Sequence, residues 1–157
     1  MLLACDELRV VPATIHIALN QVPVAISTAL IIEKCQLLHA CLKANFGINN
    51  PHIAGCGLNP HAGENKTIYK DESTYLIPVI KQLKKKGIII DGPVSGDGMV
   101  NNQNIKKSTL FISTYHDQAL IPFKMLSKYK GIKFKSNVNI IRISTSKGKA
   151  EDLIEYK

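Results

Sequence analysis

Short runs of β-branched and apolar residues alternate along this chain with longer stretches whose apolar residues recur at helical spacing, and few folds accommodate that alternation. The strand-like runs are residues 9–17 (interrupted by Pro12), 52–58, 88–90, 109–114 and 138–143. A helix is expected over about 27–46, where Leu30, Ile31, Leu37, Leu38, Cys41 and Leu42 share a face. Ser27 or Thr28 supplies its N-cap and Gly47 its terminator. A second helix is expected over about 72–86, with Leu76, Val79, Ile80 and Leu83 on one side, Pro78 early enough to be tolerated, and Gly87 at its end. Strands alternating with helices predict an α/β fold with a mostly parallel sheet flanked by helices.

The remaining segments are less patterned. Residues 91–104 are rich in Gly, Asn, Pro and Asp and read as loop. Tyr115-His116-Asp117-Gln118 opens a short helix or turn that carries Lys124, and residues 127–137 are lysine-rich with weak patterning. Gly55 and Gly57 inside a strand run point to close approach of a backbone or a ligand. At 157 residues the chain is expected to be a single domain.

Composition narrows the function classes. Net charge is +8, yet only Arg9 and Arg142 are arginine, and the lysines are scattered or, as at Lys84–Lys86, sit at a helix end where cations are favoured. This pattern is expected from lysine-rich coding without a nucleic-acid partner. Cys5, Cys35, Cys41 and Cys56 form no C-x-x-C pair and read as incidental thiols of a reducing compartment. No apolar stretch reaches membrane-span length, and the first residues lack a basic signal-peptide region, so a cytoplasmic location is expected.

Three histidines lie just past strand-like runs: His16, His61 and His116. In an open α/β sheet the carboxyl ends of neighbouring strands share one edge, and ligands bind there. Three imidazoles gathered at that edge would hold a divalent cation with open positions. Taken singly, each has a bland reading: an outward strand residue, a loop histidine, a helix start. Glu64 is placed to orient His61, and Asp117 to hold the His116 tautomer or to take part in proton transfer. Asp97 lies in the loop Gly92-Pro93-Val94-Ser95-Gly96-Asp97, and Lys124 and Arg142 are candidate anion clamps. His39 and His52 carry no expected role. No G-x-G-x-x-G, P-loop or G-x-S-x-G motif occurs.

The stretches Arg9-Val10-Val11-Pro12-Ala13-Thr14-Ile15-His16, Gly57-Leu58-Asn59-Pro60-His61-Ala62-Gly63-Glu64, Gly92-Pro93 through Asp97, and Tyr115-His116-Asp117-Gln118 through Lys124 occur in an order that resembles the 4-hydroxythreonine-4-phosphate dehydrogenase family of pyridoxal phosphate biosynthesis. The resemblance implies an isopropylmalate-dehydrogenase-like fold, incomplete relative to the family. It implies a homodimer with active sites at the subunit interface. It further implies oxidation of 4-phosphohydroxy-L-threonine by NAD (or NADP), followed by decarboxylation. By family match His16, His61 and His116 are the metal ligands, shared between subunits, with zinc the first choice and magnesium or cobalt as alternatives. Lys124, Lys133 and Arg142 match substrate-binding positions, and Asp97 and Asp117 are the catalytic candidates.

The resemblance begins near the family's midpoint, without the N-terminal segment that carries a substrate-binding His-Thr pair. It weakens over the divergent tail, residues 125–157. There Lys133 stands in place of an Asn, Ser136-Asn137-Val138-Asn139 in place of L-G-L-P, and Thr145 through Ala150 in place of P-D-H-G-T-A. A non-catalytic relic that keeps the metal site is therefore the alternative expectation. A basic nucleic-acid module and a metal-dependent hydrolase are more distant rivals.

Overall fold

In a computed structural model of the chain, residues 1–128, 130–137 and 140–145 are described. Seven strands form one sheet in the order β4-β3-β5-β2-β1-β6-β7. The strands are β1 (Leu2–Ala4), β2 (Arg9–Pro12), β3 (His52–Cys56), β4 (Ile89–Val94), β5 (Leu110–Ser113), β6 (Ile132–Asn137) and β7 (Ile140–Thr145). The sheet is mixed. β4, β3, β5 and β2 are parallel neighbours, which is the parallel sheet expected from the alternation, whereas β1, β6 and β7 join antiparallel. The helices are α1 (Val22–Ala25), α2 (Thr28–Phe46), α3 (Ile77–Lys85), α4 (Asn102–Lys107) and α5 (His116–Ser127).

Period-two alternation divides the strand side chains between two layers. Val11, Ile53, Leu110 and Ile112 face one side and pack with Ile31, Cys35 and Leu42 of α2 and with Val79, Ile80 and Leu83 of α3. Val10, Ala54, Cys56 and Phe111 face the other and pack with Ala119, Leu120 and Phe123 of α5. Because β5 is covered on both sides, Leu110, Phe111 and Ile112 can be apolar in succession.

The α2 boundaries follow the sequence signals. The Ser27 hydroxyl accepts the Leu30 N–H at 3.2 Å, and Gly47 takes a left-handed φ of 66° at the other end. Pro78 falls at the first turn of α3, preceded by a π turn over Glu72–Leu76. Three expectations are corrected. Residues 91–94, read as loop, continue β4, because pairing of Ala54 with Asp91 and of Cys56 with Val94 across a bulge overrides their turn-like composition. Asn102, Gln103 and Asn104, also read as loop, open a short helix, Asn102–Lys107, whose cap is the Asn101 side chain, accepting the Asn104 N–H at 2.8 Å. Part of the weakly patterned 127–137 segment is β6; the last strand, expected over 138–143, is described at Ile140–Thr145, and residues 138 and 139 lie outside the described residues.

His52, given no role, ties down the amino edge of the parallel strands. Its Nδ1–H donates to the Lys107 carbonyl at 2.9 Å, and its Nε2 lies 3.0 Å from Asp91, which also receives Lys107 at 2.6 Å. The Lys107 ammonium, more than any other group, holds the Asp91 carboxyl below the usual range. Among the described residues, no single helix is long and apolar enough to cross a membrane.

Two measurements check this packing. Phe111 is 1 % exposed on the central strand, so Phe111→Ala should cost about 3–5 kcal/mol in denaturant unfolding. Burial pushes the Cys35 and Cys56 thiols up to about 12, so iodoacetamide should leave both unlabelled in the folded chain and label them once it unfolds.

Candidate active site

The four parallel strands end on one edge, and the segments that carry the three histidines, Asp97 and Asp117 leave from there. After β2 the chain reaches His16, after β3 His61, after β4 Asp97, and after β5 His116 and Asp117. Cross-strand hydrogen bonds hold these exits together beyond the ladders. The Thr14 hydroxyl donates to the Thr114 carbonyl at 2.8 Å, joining the exits of β2 and β5. Gln118 joins β5 to β3: its Oε1 accepts the Thr114 N–H at 2.8 Å, and its Nε2 donates to the Gly57 carbonyl at 2.8 Å. The Gly57 N–H donates to Val94 at 2.8 Å, joining β3 to β4.

Two adjoining clefts lie on this edge. The larger, of about 520 Å³, is lined by His61, Asp97, Asp117 and Gln118 with apolar walls that include Ile121 and Met125. The smaller, of about 310 Å³, is lined by Thr14, His16 and His116, and Tyr115 and Asp117 border both clefts. The result is a trough with Asp117 at its middle.

Within one chain the three histidines do not form one cluster. The His16 and His116 rings have centroids 5.9 Å apart. Two imidazoles bound to a common zinc at about 2.0–2.1 Å have ring centres roughly 5–6 Å apart, so this pair fits a shared cation. His61 stands in the other cleft, and among the described residues no three His, Cys, Asp or Glu side chains are gathered closely enough to hold a metal ion.

The histidines differ in support. The His116 Nδ1 lies 2.6 Å from the Asp117 carboxylate, which fixes the tautomer and leaves Nε2 for a ligand. The Glu64 carboxylate is 3.6 Å from His61 Nδ1, an ion-pair distance beyond hydrogen-bond reach. His16 and His61 both take left-handed backbone, with φ of 51° and 50°. His61 opens a left-handed turn that continues through Ala62, Gly63, Glu64 and Asn65. For each residue with a Cβ this costs about 1–2 kcal/mol, and such strain concentrates where geometry serves a site.

Asp97 is exposed at the cleft. The Ser95 hydroxyl first, then the Gly98 N–H, hold its carboxyl below the usual range, and His61 adds in the same direction. Lys124 is exposed on α5 and lines neither cleft. Lys133 is half-buried on β6, level through Leu3 with Val10 rather than with the strand ends. Arg142 pairs in register with Lys135 on β7, and its side chain lies outside the described residues.

Two residues that the sequence reading passed over shape this edge. Gln118 joins two strand exits, and Glu72, 3 % exposed, accepts the Leu58 and Asn59 N–H groups at 2.9 and 2.8 Å. The close approach foreseen at Gly55 and Gly57 is found at Gly57, just past β3, where a Cβ would lie 2.7 Å from the Ala62 Cα, whereas a Cβ on Gly55 would meet only ordinary contacts.

The family model for the pyridoxal phosphate biosynthetic protein PdxA matches residues 1–156. Proteins named 4-hydroxythreonine-4-phosphate dehydrogenase from Bacteroides thetaiotaomicron and Roseobacter denitrificans are 37% and 41% identical over 153 residues, 98% of this chain. Those alignments cover 42% and 47% of the relatives, so the chain spans less than half the length of either. The crystal structure of the Klebsiella pneumoniae 4-hydroxythreonine-4-phosphate dehydrogenase superposes with a TM-score of 0.85 at 31% identity, over 97% of this chain and 46% of that one. A terephthalate 1,2-cis-dihydrodioldehydrogenase from Burkholderia xenovorans superposes with 0.73 at 29%, over 79% of this chain and 39% of that one. The α/β sheet thus has the isopropylmalate-dehydrogenase-like fold of these dehydrogenases. With the family model matching nearly the whole chain, this chain belongs to the PdxA family.

Proposed function

We propose that this chain contributes the metal-binding half of a 4-hydroxythreonine-4-phosphate dehydrogenase: a site that oxidises the secondary hydroxyl of 4-phosphohydroxy-L-threonine with NAD (or NADP), after which the β-keto acid loses carbon dioxide. The observation that carries the reading is the shared edge, where the exits of four parallel strands present His16, His61, Asp97 and the His116–Asp117 pair to one trough.

His16, His61 and His116 would hold a divalent cation, zinc before magnesium or cobalt, since imidazole donors suit zinc. When bound, the cation would polarise the substrate hydroxyl while NAD accepts the hydride. The chain's own residues prepare the rest. Asp117 accepts the His116 Nδ1–H and so presents the Nε2 lone pair outward. Asp97, held ionised by Ser95 and Gly98, suits acceptance of a substrate hydroxyl proton in a hydrogen bond rather than proton donation. Lys124, Lys133 and Arg142 are substrate-binding candidates by family position alone.

A second copy of the chain supplies what one copy lacks. His61 is separated from the His16–His116 pair, and exposed apolar side chains border both clefts: Ile121 (61 %) and Met125 (74 %) at one, Leu19 (68 %) at the other. Apolar surface of this kind beside a site favours association, and a homodimer that places His61 of one copy against His16 and His116 of the other completes the ligand set. The departures from the family pattern at Lys133, Ser136 through Asn139 and Thr145 through Ala150 favour a second reading, in which the metal site persists without turnover.

Purified chain supplied with zinc, NAD and 4-phosphohydroxy-L-threonine should form NADH. Zinc uptake without NADH formation is the outcome that selects the non-catalytic reading. His61→Ala and His116→Ala should each weaken zinc binding by roughly tenfold or more. Mixing the two variants should restore part of the tight binding, because one site of each mixed dimer is intact; no recovery on mixing would contradict sharing between copies.

A further inference from the structure

We propose that Glu72 is a positioning residue: its buried carboxylate anchors the left-handed turn and so sets the direction in which His61 leaves β3. The inference deepens the proposed metal site and rests on His61 being one of its ligands.

Glu72 is an acidic side chain at 3 % exposure, and its acceptor capacity is spent on one short segment. Oε1 accepts the Leu58 N–H at 2.9 Å and the Asn59 N–H at 2.8 Å, and Oε2 accepts Asn59 Nδ2 at 3.2 Å. Asp71 accepts the same Asn59 amide at 2.9 Å, so two adjacent carboxylates clasp the residue that caps the turn. Among the described residues, beyond Asn59 the turn bonds only to itself: Ala62 N–H to Asn59, Thr67 N–H to Glu64 and Ile68 N–H to Gly63. Among the described residues, every hydrogen bond that ties residues 58–65 to chain beyond residue 68 therefore ends on Asp71 or Glu72.

Sterics point the same way. A Cβ on Gly63 would collide with the Glu72 carboxylate, so the turn winds directly over it. A run of residues at positive φ is not self-sustaining in an L-polypeptide, and the closed turn persists only while something outside it over-determines its conformation. Glu72 sits where that constraint is applied, two residues before His61 through Asn59. It does not line the cleft that His61 shares with Asp97 and Asp117, and the separate cleft it borders beside His61 includes neither His16 nor His116, so its influence on an ion held by the three histidines passes through His61.

The test compares Glu72→Ala, Glu72→Gln, His61→Ala and the double variant Glu72→Ala/His61→Ala in the full chain. Gln keeps an oxygen for the Leu58 and Asn59 N–H groups; Ala does not. In metal-free protein, Glu72→Ala should raise amide hydrogen exchange at Leu58 and Asn59 at least tenfold while Ile53 and Ile112 stay protected, and Glu72→Gln should restore wild-type exchange. With zinc alone as the probe, Glu72→Ala should weaken binding as much as His61→Ala does, roughly tenfold. The double variant should lose no more than either single one. Unchanged exchange at Leu58 and Asn59, equal loosening at Ile112, or additive zinc losses would overturn the proposal. If Glu72→Ala does not fold, Glu72→Asp, one methylene shorter, carries the same comparison. Wild-type chain that takes up no zinc would contradict the metal reading and leave the exchange comparison to decide on Glu72.

Discussion

The site depends on how the carboxyl ends of four parallel strands are joined after their ladders stop. Thr14 to Thr114, Gln118 to both Thr114 and Gly57, and Gly57 to Val94 form a continuous set of hydrogen bonds along that edge. Each bond contributes only about 0.5–1.5 kcal/mol, but an unmade buried donor or acceptor costs more, so the set acts as a constraint. It fixes where each loop departs, and with that where His16, His61, Asp97 and His116 begin. Side chains placed this way need little further ordering when a ligand arrives.

The two faces of the molecule divide the work. Packing of α2 and α3 on one side and α5 on the other holds the sheet, whereas the amino edge is closed by the His52–Asp91–Lys107 contacts. The carboxyl edge carries the strain instead. His16 and the 61–65 turn adopt left-handed backbone there, offset by buried anchors such as Glu72. A loop without that anchor would relax to ordinary backbone and turn its imidazole elsewhere.

Much of this was legible in the sequence because it rests on local patterns. The α2 helix was marked at both ends by Ser27 and Gly47, and the placement of histidines after apolar runs marked the edge where the parallel strands end. What was not legible depends on partners distant in sequence. Asp91–Val94 became strand because β3 lay beside it. Gln118 and Glu72 look like ordinary helix residues, and only the fold reveals which backbone groups they satisfy. For β6 a signal did exist: Ile132-Lys133-Phe134-Lys135 alternates with period two, and the lysine content hid it. The separation of His61 from the other two histidines was equally invisible: β5 neighbours β2 and β3 alike, so the loop conformations past the strand ends, not sequence spacing, set it.

The proposed site requires three imidazoles to meet one cation across two copies of the chain. X-ray absorption at the zinc edge, on the zinc-loaded protein, reads that coordination directly. Three imidazole nitrogens per zinc at about 2.0–2.1 Å, reduced in number by His61→Ala, is the predicted result. A first shell built on cysteine sulfur at about 2.3 Å, or one indifferent to His61, would contradict it.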